Sequence, residues 1–313
     1  METDISENIS EFLLAIHDAS ARLSAEDFQH WTLKQVRRYI DFDFAIWGAG
    51  DRDDRDLHTV TVLDQTSNLF ATWEPVKQED PFADLVLGNA GRTWTLNDVP
   101  DIESSRAYNE HWRLYRAQQM MSTMQADPAT GLHVFVTLVR DRPEGAFTEA
   151  EIRFKNLITK HLLLAAHHND RFNLERAAAS AALVDRRGVV HAASGDFKTL
   201  AQQTWGRPYC QRLPARVTAA LWSNGCFQAP SLELQAEAAG SRLLVRARER
   251  VAMPLSEREL EVAWAYARGQ SHKEVAKDLG VSPTTIRCHL SRAYRKLGVG
   301  DKGALAVWLS QQN

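Results

Sequence analysis

Three arginines near the carboxyl terminus, Arg287, Arg292 and Arg295, fall on one side of a segment that has helical spacing. A guanidinium group can donate two parallel hydrogen bonds to the edge of a guanine, or it can pair with a phosphate. The opposite side of the same segment is apolar, with Ile286 and Leu290 one turn apart. This pattern predicts a helix that packs its apolar side on its own domain and offers its arginine side to a polyanion.

Capping signals divide residues 254–309 into four short helices. Ser256 and Ser271 each stand three residues before a glutamate, which is the pattern of a capping box, and Ser282-Pro283 is typical of a helix start. Three glycines allow these helices to end with a left-handed residue: Gly269, Gly280 and Gly298. The second and third helices therefore form a predicted helix-turn-helix, in which the third helix would lie in the major groove of DNA. A fourth helix is predicted at about residues 302–311.

The distribution of charge favours the same end of the chain. Residues 252–313 contain nine Lys and Arg against six Asp and Glu, a net charge of +3, whereas the remaining residues carry a net charge of −6. A polyanionic partner is therefore expected at the carboxyl-terminal domain. Arg287 lies in the first two turns of the third helix, the part that reaches base edges. Side chains suited to phosphates are Lys273, Thr284, Thr285, Arg292, Arg295 and Lys296.

Four motifs in this region resemble the LuxR/FixJ (GerE-type) DNA-binding domain. They are Leu-Ser-Glu-Arg-Glu-Leu-Glu-Val at 255–262, Gly-x-Ser-x-Lys-Glu-Val-Ala at 269–276, Val-Ser-x-x-Thr-Ile-Arg-x-His at 281–289 and Arg-Lys-Leu-Gly-Val at 295–299. The resemblance implies that Arg287, Cys288 and Ser291 take the base-reading positions. Cys288 and Ser291 are shorter than the residues usual there, which leaves direct readout largely to Arg287. The family's fourth helix pairs two domains, which implicates Ala304, Leu305 and Trp308 in dimerisation.

Length and composition set broader limits. A chain of 313 residues suggests two or three domains. No apolar run is long enough to span a membrane and no signal peptide is evident, so we expect a cytoplasmic protein without a membrane partner. Cys210 and Cys226 could pair, but in a reducing compartment we expect Cys210, Cys226 and Cys288 to be free thiols. We expect no cofactor and no metal, because His161 and His168 share a helix face without a third ligand.

Residues 1–176 are predicted to form an α+β domain built on one antiparallel sheet. Amphipathic helices are expected at 4–22 and 25–40, a strand hairpin at 42–47 and 57–63, and a helix at 79–88. A strand at 92–96, a helix at 104–116, a hairpin at 120–125 and 132–140 and a long helix from 148 to 179 follow. This order resembles a GAF-type sensor, which implies a small-molecule site between sheet and helices. Candidate ligand contacts are Phe44, Trp47, Phe70, Trp73, Trp94, Tyr108, Trp112, Tyr115, Met121, Met124, His133 and Phe135.

A second resemblance competes for this domain. Asp80-Pro81, with Trp94 thirteen residues after the proline, is similar to part of the acyl-homoserine-lactone sensor of quorum-sensing LuxR proteins. The upstream Trp-x-x-x-Tyr pair of that sensor is missing, and such proteins are shorter. The aromatic-rich set favours a small apolar or aromatic effector.

Residues 177–250 are predicted to form either a small PAS-like module or a structured linker. The expected order is a hairpin at 182–191, helices at 196–203 and 214–222, and strands at 226–234 and 241–248 that pair around Ala239-Gly240. Residues 251–313 complete the chain as the all-α helix-turn-helix domain. The predicted fold class is therefore α+β with an all-α carboxyl-terminal domain.

Together these features predict a transcriptional regulator rather than an enzyme. It would bind double-stranded DNA at a pseudo-palindromic site as a homodimer, under the control of a small apolar or aromatic effector, with RNA polymerase as a candidate partner. Alternatives are an acyl-homoserine-lactone quorum-sensing regulator and a protein-binding adaptor that does not bind DNA. A phosphorylation-driven response regulator is disfavoured because Asp41 and Asp43 flank the beginning of a strand. No nucleophile elbow, phosphate loop or zinc motif points to catalysis.

Overall fold

The chain was analysed as a computed structural model that describes residues 2–177, 180–205, 211–250 and 255–310, with side chains described from residue 9 onward. It folds as two compact units, Met1–Glu249 and Arg250–Asn313. Cys210 and the predicted helix ends at 179 and 311 lie outside the described residues.

The first unit begins with a five-stranded antiparallel sheet and its helices. In chain order these elements are α1 (Glu2–Ser20), α2 (Ala25–Val36), β1 (Phe44–Gly50), β2 (Leu57–Leu63), α3 (Pro81–Gly88), β3 (Thr93–Thr95), α4 (Arg106–Glu110), β4 (Gln119–Ala126), β5 (His133–Arg140) and α5 (Glu149–Ala177). Short 3-10 helices occupy Leu69–Ala71, Lys77–Glu79, Leu96–Asp98, Ile102–Ser104 and Trp112–Tyr115. The strands lie in the order β2-β1-β5-β4-β3. The predicted helix at 104–116 is wrong as one element, because His111 leaves helical geometry (φ −128°, ψ −74°) between α4 and the last 3-10 helix.

Both faces of this sheet are covered, which confirms the predicted α+β architecture. Alternate residues of a strand point to opposite faces. On one face, Ala45 and Trp47 of β1 pack in a core with residues of α1, α2 and α5. On the other face, Phe44 and Ile46 pack in a second core with residues of α3 and the 3-10 segments.

A second antiparallel sheet follows within the same unit. Its elements are β6 (Ala181–Val184), β7 (Val190–Ala193), α6 (Gly195–Trp205), α7 (Ala215–Asn224), β8 (Cys226–Gln228), β9 (Leu232–Ala239) and β10 (Arg242–Glu249), and its strand order is β7-β6-β10-β9-β8. When the strands of each sheet are numbered from one in chain order, both sheets have the order 2-1-5-4-3. The unit therefore contains two successive sheets of identical strand order, although the sequence shows no internal repeat.

One strand prediction in this module is wrong. Residues 226–234 are two strands, β8 and β9, which pair with each other and place Cys226 opposite Gln235. The break falls at Pro230, which has no N–H to donate to a ladder. The predicted pairing of β9 with β10 around Ala239-Gly240 is confirmed, with Ala239 opposite Arg242.

The second unit consists of four helices: α8 (Glu257–Ala267), α9 (His272–Asp278), α10 (Pro283–Leu297) and α11 (Lys302–Ser310). Their apolar sides meet in one core that includes Val262, Val275, Ile286, Leu290 and Leu305. The four-helix prediction is confirmed.

Candidate DNA-binding surface and ligand cavity

The helix-turn-helix is held by side chains that cap its helices. The Ser271 hydroxyl accepts a hydrogen bond from the backbone N–H of Glu274, and the Glu274 carboxylate accepts one from the N–H of Ser271 at 2.6 Å. Ser282 caps α10 by accepting from the N–H of Thr285, and Gly280 provides the left-handed residue (φ +64°) between the two helices. These local contacts fix where α10 begins and therefore which of its residues face outward.

The outward side of α10 is rich in unpaired hydrogen-bond donors. The exposed residues among the predicted DNA contacts are Lys273, Thr284, Arg287, Cys288, Ser291, Arg292 and Arg295, and Thr285 is half-buried. Within the described ranges, the guanidinium groups of Arg287, Arg292 and Arg295 make no hydrogen bond or ion pair. The sequence-predicted set is therefore brought together on one surface, with its charge available to a partner.

Lys296 differs from its arginine neighbours. Its Nζ donates to Oε2 of Glu259 at 2.6 Å, and Glu259 is buried in α8. The hydrogen bond from Lys296, together with the backbone N–H of Ser256, lowers the pKa of Glu259 to about 2. The charge of Lys296 therefore ties α10 to α8, and we expect it to contribute less to a phosphate contact than the unpaired arginines do.

The predicted dimerisation residues of α11 do not share one environment. Leu305 is fully buried in the core of its own domain, so its side chain is not available to a second molecule. Ala304 and Trp308 are half-buried, and Val307, which the sequence interpretation omitted, is 59% exposed. Helical spacing alone did not separate the residues that face α8 from those that face outward.

A cavity of about 70 Å³ lies in the first unit, on the face of the first sheet that carries Ile46. Six of the twelve predicted ligand contacts line it: Phe70, Trp73, Trp112, Met124, His133 and Phe135. The hydroxyls of Ser122 and Thr137, also in the lining, hydrogen-bond to each other at 2.8 Å. Nδ1 of His133 is buried without a hydrogen-bond partner, and burial lowers the pKa of this histidine. The lining is thus largely apolar, and it includes one imidazole whose buried Nδ1 has no hydrogen-bond partner among the described residues.

The other six predicted contacts lie outside this cavity. Trp47 and Met121 directly follow the lining residues Ile46 and Met120 in their strands. Because successive strand residues point to opposite faces, both side chains lie on the other face of the sheet, in the core with α2 and α5. Phe44, Trp94, Tyr108 and Tyr115 pack in the core around the cavity without lining it.

Asp80 is a lining residue that the predicted contact set left out. Its Oδ2 accepts hydrogen bonds from the indole N–H groups of Trp73 and Trp112, both at 2.9 Å. Its Oδ1 accepts from the backbone N–H groups of Phe82 and Ala83, which caps α3. The buried carboxylate is therefore well satisfied and holds two lining tryptophans in place. An Asp-Pro step before an apolar helix was the available signal.

Trp94, the other residue of the partial lactone-sensor pattern, does not line this cavity. Its indole N–H donates to the backbone oxygen of Asn89 at 3.3 Å, and Arg92 lies over its ring. Of the residues that carry that resemblance, Asp80 lines the cavity and Trp94 does not.

Two features are absent from the described part of the chain. No cluster of three or more His, Cys, Asp or Glu is placed to hold a metal ion. No described helix combines the length and apolar character needed to cross a bilayer. Cys226 and Cys288 are exposed free thiols.

Comparisons with known proteins agree with the geometry of the second unit. Residues 253–309 match the family model described as bacterial regulatory proteins, luxR family. The chain is similar to a probable transcriptional regulatory protein NarL of Mycobacterium tuberculosis, with 48% identity over 62 residues that make up 20% of this chain and 29% of the relative. It is also similar to the transcriptional regulatory protein UhpA of Salmonella typhimurium, with 34% identity over 84 residues, 27% of this chain and 37% of the relative. The carboxyl-terminal domain is thus a LuxR-type DNA-binding domain, and the chain spans less than two fifths of either relative.

Two solved structures are similar over longer stretches at low identity. SdiA in complex with octanoyl-rac-glycerol is 13% identical, with 96% of this chain and 94% of that chain covered and a TM-score of 0.41. CepR2 of Burkholderia cenocepacia, an N-acylhomoserine lactone dependent LuxR family factor, is 17% identical, with 52% and 94% covered and a TM-score of 0.40.

Proposed function

We propose that this protein is a sequence-specific DNA-binding transcriptional regulator. The observation that carries the proposal is the exposed arginine side of α10, whose Arg287, Arg292 and Arg295 have no partner within the described residues. Three unpaired guanidinium groups on a helix that follows a tight turn suit a DNA duplex better than a protein surface, because they match phosphates and guanine edges in spacing and charge.

The three arginines take two roles in this proposal. Arg287, in the first two turns of α10, donates to a guanine in the major groove. Arg292 and Arg295, farther along the helix, pair with phosphates and set the position of the helix. Cys288 and Ser291 are short side chains that let α10 approach the base edges closely.

Selection of duplexes from a random pool, followed by fluorescence anisotropy on the selected site, tests this assignment. Arg287→Ala is expected to cost about 1–3 kcal/mol of binding and to relax the base preference at one position. Arg216→Ala, an exposed arginine of α7 in the first unit, removes the same charge and serves as the matched control. Failure to select any sequence, or equal losses in the two variants, would overturn the proposal.

We further propose that the protein acts as a homodimer on a pseudo-palindromic site, with α11 in the contact. Ala304, Val307 and Trp308 supply the available apolar surface of this helix. Val307→Glu is expected to shift sedimentation toward the monomer and to weaken binding to a full site more than to a half-site. An unchanged dimer would remove α11 from the interface. Contact with RNA polymerase is tested by transcription in vitro from a promoter that carries the selected site.

A small apolar or aromatic molecule is proposed as the effector, bound in the cavity lined by Phe70, Trp73, Trp112 and Phe135. The cavity of about 70 Å³ is smaller than the roughly 150 Å³ that holds benzene in an engineered core. A ligand must therefore displace side chains, and the half-buried Phe70 and Phe135 are the aromatic linings best placed to turn.

An effector of this kind can control DNA binding only if it binds one conformation of the protein more tightly than another. Native mass spectrometry would detect a co-purified effector as added mass. Toluene and phenol, followed by ligand-observed NMR, are expected to bind the full chain, with phenol favoured by the free nitrogen of His133. Loss of that preference in His133→Phe supports the site, and absence of binding by both molecules contradicts it.

A further inference from the structure

A second cavity, of about 230 Å³, lies on the opposite face of the first sheet. The strand register fixes its floor: Ala49 of β1 is opposite Thr59 of β2 and Val134 of β5, and Trp47 is opposite Thr61. Residues directly opposite one another point to the same face. The floor therefore combines two threonine hydroxyls with the side of a tryptophan.

The other walls come from α2, α5 and the second sheet. Glu26, Gln29 and His30 of α2 and Leu163, Ala166, His167 and Asp170 of α5 face His191, Ser241 and Arg242 of the second module. Alanines at positions 25, 49 and 166 leave the space unfilled. At Gly240 (φ +62°) an added Cβ would come within 2.9 Å of the Glu26 carboxylate, so glycine lets the β9–β10 turn close the cavity.

Two carboxylates of the lining are paired with cationic neighbours, whereas the side chain of Glu26 makes no ion pair with a described residue. Arg242 donates to both carboxylate oxygens of Asp170, at 2.7 and 2.6 Å. Nε2 of His167 lies 3.4 Å from Oδ2 of Asp127. Burial alone would raise the pKa of Asp127, but hydrogen bonds from His167 and Thr130 outweigh burial and lower it to about 2. Because these pairs are internal, they need no counter-charge from a ligand.

Several polar groups of the lining still lack partners. Gln29 accepts a hydrogen bond from the Thr61 hydroxyl through Oε1, and its Nε2 is unpaired within the described residues. The hydroxyls of Thr59, Ser67 and Ser241 make no hydrogen bond with any described residue. Nδ1 of His30 lies 3.3 Å from the backbone oxygen of Glu26, which leaves Nε2 for another partner. The free groups are thus hydroxyls and an imidazole, which can donate or accept, the NH₂ group of Gln29, which donates, and the Glu26 carboxylate, which accepts.

We infer that this cavity binds a neutral, polyhydroxylated small molecule of about monosaccharide size. The hydroxyls of such a molecule match the free donors and acceptors, and its C–H face suits the apolar patch of Trp47, Val134 and Leu163. This site is separate from the apolar cavity across the sheet, and the inference does not depend on the proposed DNA-binding function. Ordered water alone would be the alternative content of a polar cavity.

The test uses the full chain and saturation-transfer NMR with glucose, galactose, ribose and myo-inositol. At least one of these compounds is expected to receive saturation. Toluene is expected not to displace it, because toluene is expected to bind in the apolar cavity on the other face of the sheet. Thr59→Trp places an indole in the cavity without removing a described hydrogen bond, and it is expected to weaken binding about tenfold or more. Ala219→Trp, at an exposed position of α7, is the matched control and is expected to bind as the wild type does.

Absence of transfer to all four compounds would overturn the inference in favour of a water-filled cavity. Equal binding by Thr59→Trp and the wild type would overturn it as well, because the compound would then lie elsewhere. Circular dichroism checks that each variant folds. If Thr59→Trp does not fold, Gln29→Leu tests the same site, because it removes the Gln29 amide from the lining. Unchanged binding by Gln29→Leu would then count against the inference.

Discussion

Nδ1 of His58 lies 2.8 Å from Oδ2 of Asp185, a residue 127 positions later in the chain. His58 belongs to the first sheet, and Asp185 follows β6 of the second. Nε2 of His58 lies 2.9 Å from Oδ2 of Asp51, and Nε2 of His191 lies 3.0 Å from the same oxygen of Asp185. The two sheets of the first unit are therefore joined by a buried network of imidazoles and carboxylates, which is directional and specific to one arrangement.

This network makes the stability of the first unit depend on pH. Ionised carboxylates only accept hydrogen bonds, so His58 fulfils both contacts only as an imidazolium. Burial would lower the pKa of His58, but the hydrogen bonds to Asp185 and Asp51 outweigh burial and raise it above 6.5. A raised pKa stabilises the folded state fully below pH 6.5, and this contribution is lost as the pH rises through the folded value. Each unit of increase corresponds to about 1.4 kcal/mol.

Urea unfolding at about pH 6 and about pH 9 measures this effect. The wild type is expected to lose more stability between the two pH values than His58→Gln does. His161→Gln, at an exposed histidine of α5, should behave as the wild type. Equal pH dependence in all three proteins would show that His58 is not charged in the folded state.

The buried ion pair Asp170–Arg242 is a second link between the two sheets of the first unit. Removing one charge of the pair is expected to destabilise the fold more than removing both. Asp170→Asn leaves the Arg242 guanidinium buried without its counter-charge and is expected to cost about 3–5 kcal/mol of unfolding free energy. Asp170→Leu combined with Arg242→Met removes both charges and should recover much of that loss. Denaturant unfolding gives both values, and a double variant less stable than Asp170→Asn would contradict this account.

Local signals in the sequence were sufficient for the carboxyl-terminal domain. Three of its helices are capped by Ser256, Ser271 and Ser282, whose hydroxyls each accept a hydrogen bond from the backbone N–H three residues later. Such contacts involve neighbours in the chain, so their residue types and spacing predict them directly. The same reasoning predicted most strands of the first sheet from alternation and turn residues.

Contacts between distant residues could not be predicted in this way. Asp185 lies within the predicted hairpin at 182–191, and nothing near it in sequence indicates that His58 will reach it. Trp47 and Met121 were assigned to the apolar cavity for their residue type alone, although strand alternation places them on the opposite face. Strand alternation divides the residues between two faces, but it does not tell which helices cover each face or which face holds the cavity. That depends on how the helices pack in the folded chain.

The arginines of α10 predict a measurable dependence on salt. A phosphate contact releases condensed counterions, so its loss lowers the slope of log K against log salt by about 1. Arg295→Gln is expected to lower that slope and to weaken selected and random duplexes to a similar degree. Lys296→Gln, whose amine is bound to Glu259, should leave the slope nearly unchanged. If Lys296→Gln lowered the slope and Arg295→Gln left it unchanged, Lys296 and not Arg295 would contact a phosphate.

Gly48 lies against Phe135, which lines the apolar cavity, so a substitution at Gly48 tests the proposed ligand site. A Cβ at this position would meet Cζ of Phe135 at 2.5 Å and Cε1 at 2.7 Å, so Gly48→Ala forces the ring to move. Because Phe135 lines the cavity, the displaced ring is expected to change the space that a ligand would use, at a cost of about 1–3 kcal/mol in stability.

Binding of toluene and phenol to Gly48→Ala, followed by ligand-observed NMR, gives the readout, and thermal unfolding gives the stability. We expect weaker binding of both aromatic molecules by a protein that still folds. Gly88→Ala, at a glycine where an added Cβ meets no atom within 4 Å, is the matched control and should bind them normally. If Gly48→Ala bound both molecules as tightly as the control, Phe135 would not border the space that they occupy, and the proposed effector site would have to be sought elsewhere in the first unit.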